Sequence, residues 1–96
     1  MNVKVVIKVF VPPTDDNLES LKAAASKSTN NPDSIQVEIR EKDALLPDSQ
    51  DEHFFLVTTF TMKKSAQYKV VSQISQEFEF WTHSLRGYQD MAIAFP

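Results

Sequence analysis

Alternation of apolar and polar side chains near the start of the chain is the feature that most constrains its fold. In V-K-V-V-I-K-V-F-V, residues 3–11, every second position is valine or isoleucine. A period of two residues with β-branched side chains predicts a β-strand. Pro12 and Pro13 end the strand, because proline cannot donate to the hydrogen-bond ladder of a sheet. The opposite face of this strand carries Lys4, Val6, Lys8 and Phe10.

A helix is predicted directly after the two prolines. Thr14, Asp15 or Asp16 can cap its free amides, and acids are favoured at the positive end of the helix dipole. Asp16 and Glu19 also have the spacing of a capping box. The turn sequence S-T-N-N-P-D, residues 28–33, ends the helix. Its apolar stripe comprises Leu18, Leu21 and Ala25.

Two further strands follow, separated by a long connection. Residues 34–41 alternate strictly, which is typical of a strand with one face in water. Residues 53–62 are apolar on both faces, which predicts a central strand. The intervening residues 41–52 form a polar connection rich in acids.

A long second helix is predicted over residues 65–86. Its apolar residues recur at spacings of three and four, the period of a helix face. Gly87 follows, and glycine is preferred just past a helix end. Phe80 lies off the stripe, and residues 89–95 alternate as a short last strand. The stripe comprises Gln67, Val71, Ile74, Phe78, Trp81 and Leu85.

The predicted order of elements is therefore β-α-β-β-α-β, in one domain over residues 1–96. This is the order of the split βαβ, or ferredoxin-like, fold, an α+β fold whose four-stranded antiparallel sheet carries both helices on one face. The usual strand order 4-1-3-2 makes the first and third strands central. These are the two predicted strands with apolar residues on both faces. Because this fold serves many functions, the function has to be inferred from its surfaces.

The sheet face that the helices leave open is the first such surface. If the odd-numbered residues of the first strand face the helices, the other face is apolar over several neighbouring residues. A contiguous apolar face of this kind indicates association. We predict an interaction surface comprising Val6, Phe10, Phe55 and Val57, with Phe80 as an additional contact on the second helix.

Four kinds of cover can shield this face. They are a second copy of the chain, another protein, a ligand, and the connection of residues 41–52. Within the connection, Ala44, Leu45 and Leu46 form either a turn packed against the sheet or a small docking tip.

Little in the chain supports catalysis. It has no cysteine and only one glycine, so thiolate chemistry, cysteine zinc sites and glycine-rich phosphate loops are excluded. His53 and His83 stand beside no recognisable nucleophile or paired carboxylate. The acids Asp48, Asp51 and Glu52 lack the ligand rhythm of a calcium loop. We therefore expect no cofactor and no metal, and the sequence favours a protein that is not an enzyme.

The start of the second helix is a candidate anion site. Lys63 and Lys64 precede Ser65, and helix N-terminal amides together with lysines can hold an anion. The alternative is that the lysines project into water, where they oppose the helix dipole.

Residues 8–21, K-V-F-V-P-P-T-D-D-N-L-E-S-L, resemble the first strand and helix of the RNA recognition motif. That family stacks bases on aromatic residues of strands one and three, which implies such roles for Phe10, Phe55 and Phe60. The third strand lacks the basic residue and glycines of the family's pattern. The net charge of −3 also opposes phosphate binding, so the sequence argues against nucleic acid as a partner.

The element order is similar to that of the dimeric α/β-barrel proteins, some of which are small oxygenases or ligand binders. This resemblance implies sheet-to-sheet homodimers, with a pocket between sheet and helices.

The sequence also bears on location. No apolar run approaches the ~20 residues of a membrane span, and lysines interrupt the N-terminal apolar residues where a signal-peptide core would lie. We predict a cytoplasmic protein with no membrane partner. The leading function is a small non-catalytic interaction or regulatory protein that dimerises through the open sheet face. The alternatives are a dimeric α/β-barrel-type enzyme or ligand binder, and a single-stranded nucleic-acid binder.

Overall fold

The computed structural model describes the backbone of residues 1–63, 67–85 and 87–96, and within the second helix the side chains of residues 71–79. Two α-helices, four β-strands and one short 3-10 helix lie in this part of the chain. In order they are β1 (Asn2–Val9), α1 (Asp15–Ser26), the 3-10 helix (Pro32–Ser34), β2 (Gln36–Arg40), β3 (Phe54–Thr61), α2 (Gln67–Ser84) and β4 (Tyr88–Ala94).

The strands form one antiparallel sheet in the order β2-β3-β1-β4. Read from the other edge, the order is β4-β1-β3-β2, so β1 and β3 are the two central strands, as their apolar faces predict. β1 pairs with β3 along its full length, from Asn2 opposite Thr61 to Val9 opposite Phe54. The chain is thus an α+β protein with a four-stranded antiparallel sheet and two helices.

The main core lies between the helices and one side of the sheet, called here the helix face. The odd-numbered residues of β1 point to this side, as expected, and both helices contribute to the same cluster. Burial of these side chains is the main source of stability for a chain of this size. The largest fully buried members are Val3, Val5, Ile7, Val9, Leu21, Leu56, Ile74 and Phe78.

The capping box of helix α1 lies two residues earlier than the predicted one. Thr14 is the N-cap: its Oγ1 accepts a hydrogen bond from the Asn17 amide at 3.2 Å, and Asn17 Oδ1 accepts one from the Thr14 amide at 2.9 Å. These reciprocal bonds satisfy two amides that the helix cannot pair. The predicted box of Asp16 and Glu19 is therefore wrong, because asparagine takes the place of the expected glutamate.

Helix α2 is a single helix, and its apolar stripe is partly confirmed. Ile74 and Phe78 are fully buried and Leu85, just past the helix, is 7% exposed. Val71, predicted to face the core, is 38% exposed, so the buried stripe is narrower than the spacing predicts. The side chains of Gln67, Phe80 and Trp81 lie outside the described residues.

Strand β1 ends at Val9, earlier than the predicted residue 11. The pairing with β4 shifts register between Lys8 and Val9, which marks a bulge that turns the chain out of the sheet. Gly87 then packs against the departing chain, and its carbonyl accepts a hydrogen bond from the Phe10 amide at 2.9 Å. Gly87 has a φ of 71°, a conformation that favours glycine.

Candidate interaction surface

The side of the sheet opposite the helices, called here the second face, carries an apolar patch on β1 and β3. Val6 lies directly opposite Val57, and Phe55 lies two residues away on the same side. All three are at most 1% exposed. They are covered by Leu46, itself 8% exposed, which packs against them from the connection between β2 and β3. We call this connection, residues 41–53, the strap.

Asp43 fastens the first part of the strap. Its Oδ2 lies 2.8 Å from Lys4 Nζ and 3.3 Å from Arg40 Nη1, while its Oδ1 accepts a hydrogen bond from the Leu45 amide at 3.0 Å. The Asp43 side chain is 1% exposed, yet both carboxylate oxygens have partners. Burial by itself raises the pKa of Asp43, but the bonds from Lys4 and the Leu45 amide, with the charges of Lys4 and Arg40, bring it below its ordinary value of 3.8.

Lys8 of β1 holds the later part of the strap from the side of the sheet. Lys8 is only 3% exposed, which is rare for a lysine without an acidic partner. Its Nζ donates to the carbonyl of Pro47 at 2.6 Å and to the hydroxyl of Ser49. The ammonium also lies 5.7 Å from the ring centroid of Phe10 and 5.9 Å from that of Phe55, within the range of cation–π attraction. No carboxylate pairs with Lys8 among the described residues.

The strap contacts β1 in sequence order. Lys4, Val6 and Lys8 are alternate residues of the strand and share the second face. They contact, in turn, Asp43, Leu46 and then Pro47 with Ser49. Two ionic or polar contacts therefore flank one apolar contact, and the strap lies along the central strand for about 13 Å at ~3.3 Å per residue.

The end of the strap is closed by His53. Its Nδ1 lies 3.0 Å from the Asp51 carbonyl and its Nε2 lies 3.4 Å from Asp48 Oδ1. The ring packs edge-on against Phe55, with centroids 5.2 Å apart. Within the described part of the chain, no group of three or more His, Cys, Asp and Glu side chains is arranged to hold a metal ion.

The predicted interaction residues do not form an open surface. Val6, Phe55 and Val57 are brought together on one side of the sheet, and the strap buries them. Of the covers considered from the sequence, the connection of residues 41–52 occupies this place, with its leucines packed against the sheet. Phe10 is half-buried at the edge of the patch beyond β1. The side chain of Phe80 lies outside the described residues.

The candidate anion site is described only in part. Lys63 is exposed and borders a shallow depression between the end of α1 and the start of α2, with Ser28, Thr29 and Gln73. Lys64 and Ser65 lie outside the described residues. The geometry therefore adds no ligand contact to the sequence argument for this site.

A cleft of 480 Å³ opens at one end of the helix face. Its described lining residues are mainly apolar or proline and include neither an aromatic side chain nor a histidine. The Asn17 side chain at its edge is engaged in the helix cap. Among its described lining residues, the cleft thus shows none of the aromatic side chains expected of an α/β-barrel-type ligand pocket. It is lined by Val9, Val11, Pro12, Pro13, Thr14, Asp16, Asn17, Leu56 and Leu85.

Four residues that organise the second face were not among the predicted site residues: Lys4, Lys8, Asp43 and Leu46. The alternation of β1 places both lysines on this face, but it does not show that Lys8 is buried. The sequence feature that indicates the strap is the pair of leucines, Leu45 and Leu46, that follows Asp43 in an otherwise polar connection. The partner of each strap residue depends on how the connection folds back, which local sequence does not determine.

Comparisons of the chain with models of known families, with curated proteins and with solved structures found no match. Neither described helix combines the length and the hydropathy needed to cross a bilayer. The function therefore has to be inferred from the second face and its strap.

Proposed function

We propose that the protein is a small non-catalytic interaction protein whose binding surface is the second face of its sheet. In this proposal the strap covers the surface in the free chain. When the strap opens, two copies associate face to face.

One observation carries the proposal: a polar strap covers an apolar face. The face contributes Val6, Phe55 and Val57, whereas the strap contributes one fully packed apolar side chain, Leu46. Leu45 packs partly against the same cluster and the His53 ring contacts Phe55. The remaining contacts of the strap are ion pairs and hydrogen bonds, through Asp43 and Lys8. Ion pairs and hydrogen bonds contribute modest net free energy, because opening the strap replaces them with hydrogen bonds to water. A cover of this kind can leave while the sheet beneath stays folded.

The size of the face favours weak association. The longest strands have eight residues, so the face measures at most about 26 Å by 19 Å, or roughly 500 Å² per copy. Two such faces bury about 1,000 Å² in total, the lower limit for a specific interface. We therefore expect the chain with its strap open to form a reversible dimer at high micromolar concentration.

The finer fold assignment belongs to the same proposal. We propose a single ferredoxin-like domain, supported by the element order β-α-β-β-α-β and by the strand order 4-1-3-2 read from the β4 edge. Sheet-to-sheet dimers occur on this fold, which is consistent with the proposed surface. The cytoplasm is the compartment that we propose, because the chain contains no cysteine for a disulfide.

Light scattering on an opened variant tests the proposal. The substitutions Asp43→Asn and Leu46→Ser remove the charged and the apolar contact of the strap, and we call this double variant the open variant. We expect the open variant to dimerise at concentrations of several hundred micromolar, where the unmodified chain remains monomeric. Circular dichroism and a thermal melt establish that the variant is folded.

A second substitution separates specific dimers from aggregates. Thr59 lies on the second face opposite Lys4 and is only half-buried, so Thr59→Arg in the open variant should block face-to-face contact without disturbing the core. Ser72→Arg, on the exposed surface of α2, is the matched control and should leave the dimer intact. A folded open variant that stays monomeric, or a dimer that survives Thr59→Arg, would overturn the proposal.

A further inference from the structure

The contacts of the strap indicate what the second face recognises. Along β1, the face offers a cation at Lys4, an apolar position at Val6 and a second cation at Lys8. The strap groups that contact these positions are, in turn, the Asp43 carboxylate, the Leu46 side chain, and the Pro47 carbonyl with the Ser49 hydroxyl. The face therefore fits a short segment that has a carboxylate near Lys4 and an aliphatic side chain, three residues later, near Val6.

Resting on the proposed function of this face, we infer that it binds a short acidic segment of a protein partner, with a leucine three residues after an aspartate. Residues 43–49 of the strap occupy this site in the free chain and act as an internal competitor. The partner segment enters when the strap leaves.

Charge complementarity supports an acidic occupant. The first cation pair, Lys4 and Arg40, is matched by Asp43, whose side chain is 1% exposed, and Arg40 also pairs with Glu38 of β2. The second cation, Lys8, is buried against neutral oxygens and two aromatic rings. A buried ammonium is stabilised more by a carboxylate than by neutral acceptors. The strap therefore satisfies the Lys8 position incompletely, and a partner with an acid there would compete effectively.

The apolar contact fixes the register of such a segment. Leu46 is buried among Val6, Phe55 and Val57, while Leu45 is only partly buried. Residues 44 and 45 form a turn, and this turn brings Asp43 and Leu46, three residues apart, to the same side of the strap. In an extended segment, side chains three residues apart would point to opposite sides. The spacing between the aspartate and the leucine is thus part of the recognition.

The competition between strap and partner sets the expected affinity. A tethered segment experiences an effective concentration on the order of 1 mM. If the strap is closed about 100 times more often than open, the same segment added as a free peptide would bind the open face with a Kd of roughly 10 µM. The unmodified chain would bind it about 100-fold more weakly, because its own strap competes.

Fluorescence anisotropy with a labelled peptide of residues 41–50, E-K-D-A-L-L-P-D-S-Q, tests the inference. The open variant, carrying Asp43→Asn and Leu46→Ser, is titrated up to about 50 µM, several times the expected Kd, and light scattering of the same samples establishes that it is monomeric. We expect saturable binding to the open variant and little binding to the unmodified chain.

Matched peptides show which contacts matter. A peptide with Asp43→Asn and one with Leu46→Ser should each bind at least about tenfold more weakly, whereas Ser49→Asp, which offers Lys8 a carboxylate, should bind about tenfold more tightly. A peptide with Ala44→Ser, at an exposed strap position, is the control and should bind like the original.

The outcomes distinguish the inference from the proposed function. If the open variant dimerises at high concentration but does not bind the peptide, the inference fails and the dimer proposal stands. If it binds the peptide yet never dimerises, the inference stands and self-association fails. Equal binding of the Asp43→Asn, Leu46→Ser and original peptides would overturn the inference. So would preferential binding of a single-stranded oligonucleotide tested in parallel.

Discussion

Lys8 Nζ donates a hydrogen bond of 2.6 Å to the carbonyl of Pro47, and so joins the central strand of the sheet to a strap residue 39 positions later in the chain. The lysine lies under the strap, where it is 3% exposed. A buried ammonium is costly to desolvate, so this residue contributes less to global stability than its contacts suggest. Its main effect is to hold the strap in place.

The first prediction separates these two effects with Lys8→Met, which keeps the length of the side chain and removes its charge. We expect the free energy of unfolding to change by less than about 1 kcal/mol, because the loss of two hydrogen bonds is offset by the loss of a buried charge. Hydrogen exchange of the strap amides should accelerate by about threefold, within the same limit of about 1 kcal/mol, because opening the strap breaks the same contacts.

Lys42→Met is the control for this substitution. Lys42 is an exposed residue of the same strap, and its replacement should alter neither quantity. If Lys8→Met leaves the hydrogen-exchange rates of the strap amides unchanged, Lys8 does not hold the strap. If Lys8→Met greatly lowers the free energy of unfolding, Lys8 stabilises the sheet itself.

The second prediction concerns the apolar contact of the strap. Leu46→Ala should lower the free energy of unfolding by about 2–3 kcal/mol, at the low end for a buried leucine because a surface strap can partly relax into the space. Leu45→Ala should cost about 1 kcal/mol, since Leu45 is only partly buried. Urea denaturation measures both values. Equal costs at the two positions would contradict the packing of Leu46 described above.

The third prediction is a pH dependence carried by Asp43. Its pKa in the folded chain lies below the ordinary value of 3.8, so folding favours the deprotonated carboxylate. The corresponding stability is fully present above about pH 4 to 5 and is lost as the pH falls through the folded pKa. The charged groups that face this carboxylate are Lys4 of β1 and Arg40 of β2.

Comparison with Asp43→Asn isolates this effect from the other acids of the chain. We expect the unmodified protein to exceed the variant in free energy of unfolding by a constant amount, about 1–3 kcal/mol, between pH 5 and 7. The difference should shrink below about pH 4, where protonation removes the charge that the variant lacks. A difference that persists unchanged at pH 3 would show that the charge of Asp43 does not stabilise the strap.

The sequence predicts the sheet well because periodicity is a local property. Alternation identifies β1, β2 and β4, an apolar run on both faces identifies β3, and the apolar character of both faces of β1 and β3 identifies them as central. Boundaries are less certain: β1 stops at Val9 because a bulge intervenes, and a bulge leaves no clear mark in the pattern. Val71 fits the helix period yet is 38% exposed, because period alone does not determine how wide a stripe the sheet covers.

The site is predicted only in part because it depends on tertiary contacts. The strand pattern correctly groups Val6, Phe55 and Val57 on one side. It cannot determine which cover lies on them, since the fold of a polar connection follows from its contacts with distant residues. Asp43 and Lys4 are 39 positions apart and become partners only when the strap folds back across the sheet.

The fourth prediction tests the corrected helix cap. Thr14→Ala should lower the free energy of unfolding by about 1 kcal/mol, because the Asn17 amide loses its acceptor at the start of α1. Glu19→Ala should cost less than about 0.5 kcal/mol, since the contact that Glu19 makes within the described residues is an exposed ion pair with Lys22 at 3.2 Å. Thermal or urea denaturation of the two variants decides between the two capping boxes: a larger cost for Glu19→Ala would restore the box of Asp16 and Glu19.

The fifth prediction concerns Gly87, which combines a φ of 71° with close contact to the end of β1. A β-carbon at this position would lie 2.9 Å from Val11 Cγ2 and 3.1 Å from the Phe10 amide nitrogen. Gly87→Ala should therefore cost about 1–3 kcal/mol, from backbone strain and crowding together.

Gly87→Asn separates the two causes, because asparagine tolerates this backbone conformation better than alanine while its β-carbon meets the same atoms. If strain dominates, urea denaturation will show a smaller loss for asparagine than for alanine. If crowding against Val11 dominates, the two losses will be similar, and Val11→Ala in the Gly87→Ala background should recover part of the stability. No loss in either glycine variant would contradict the tight approach of Gly87 to the chain leaving β1.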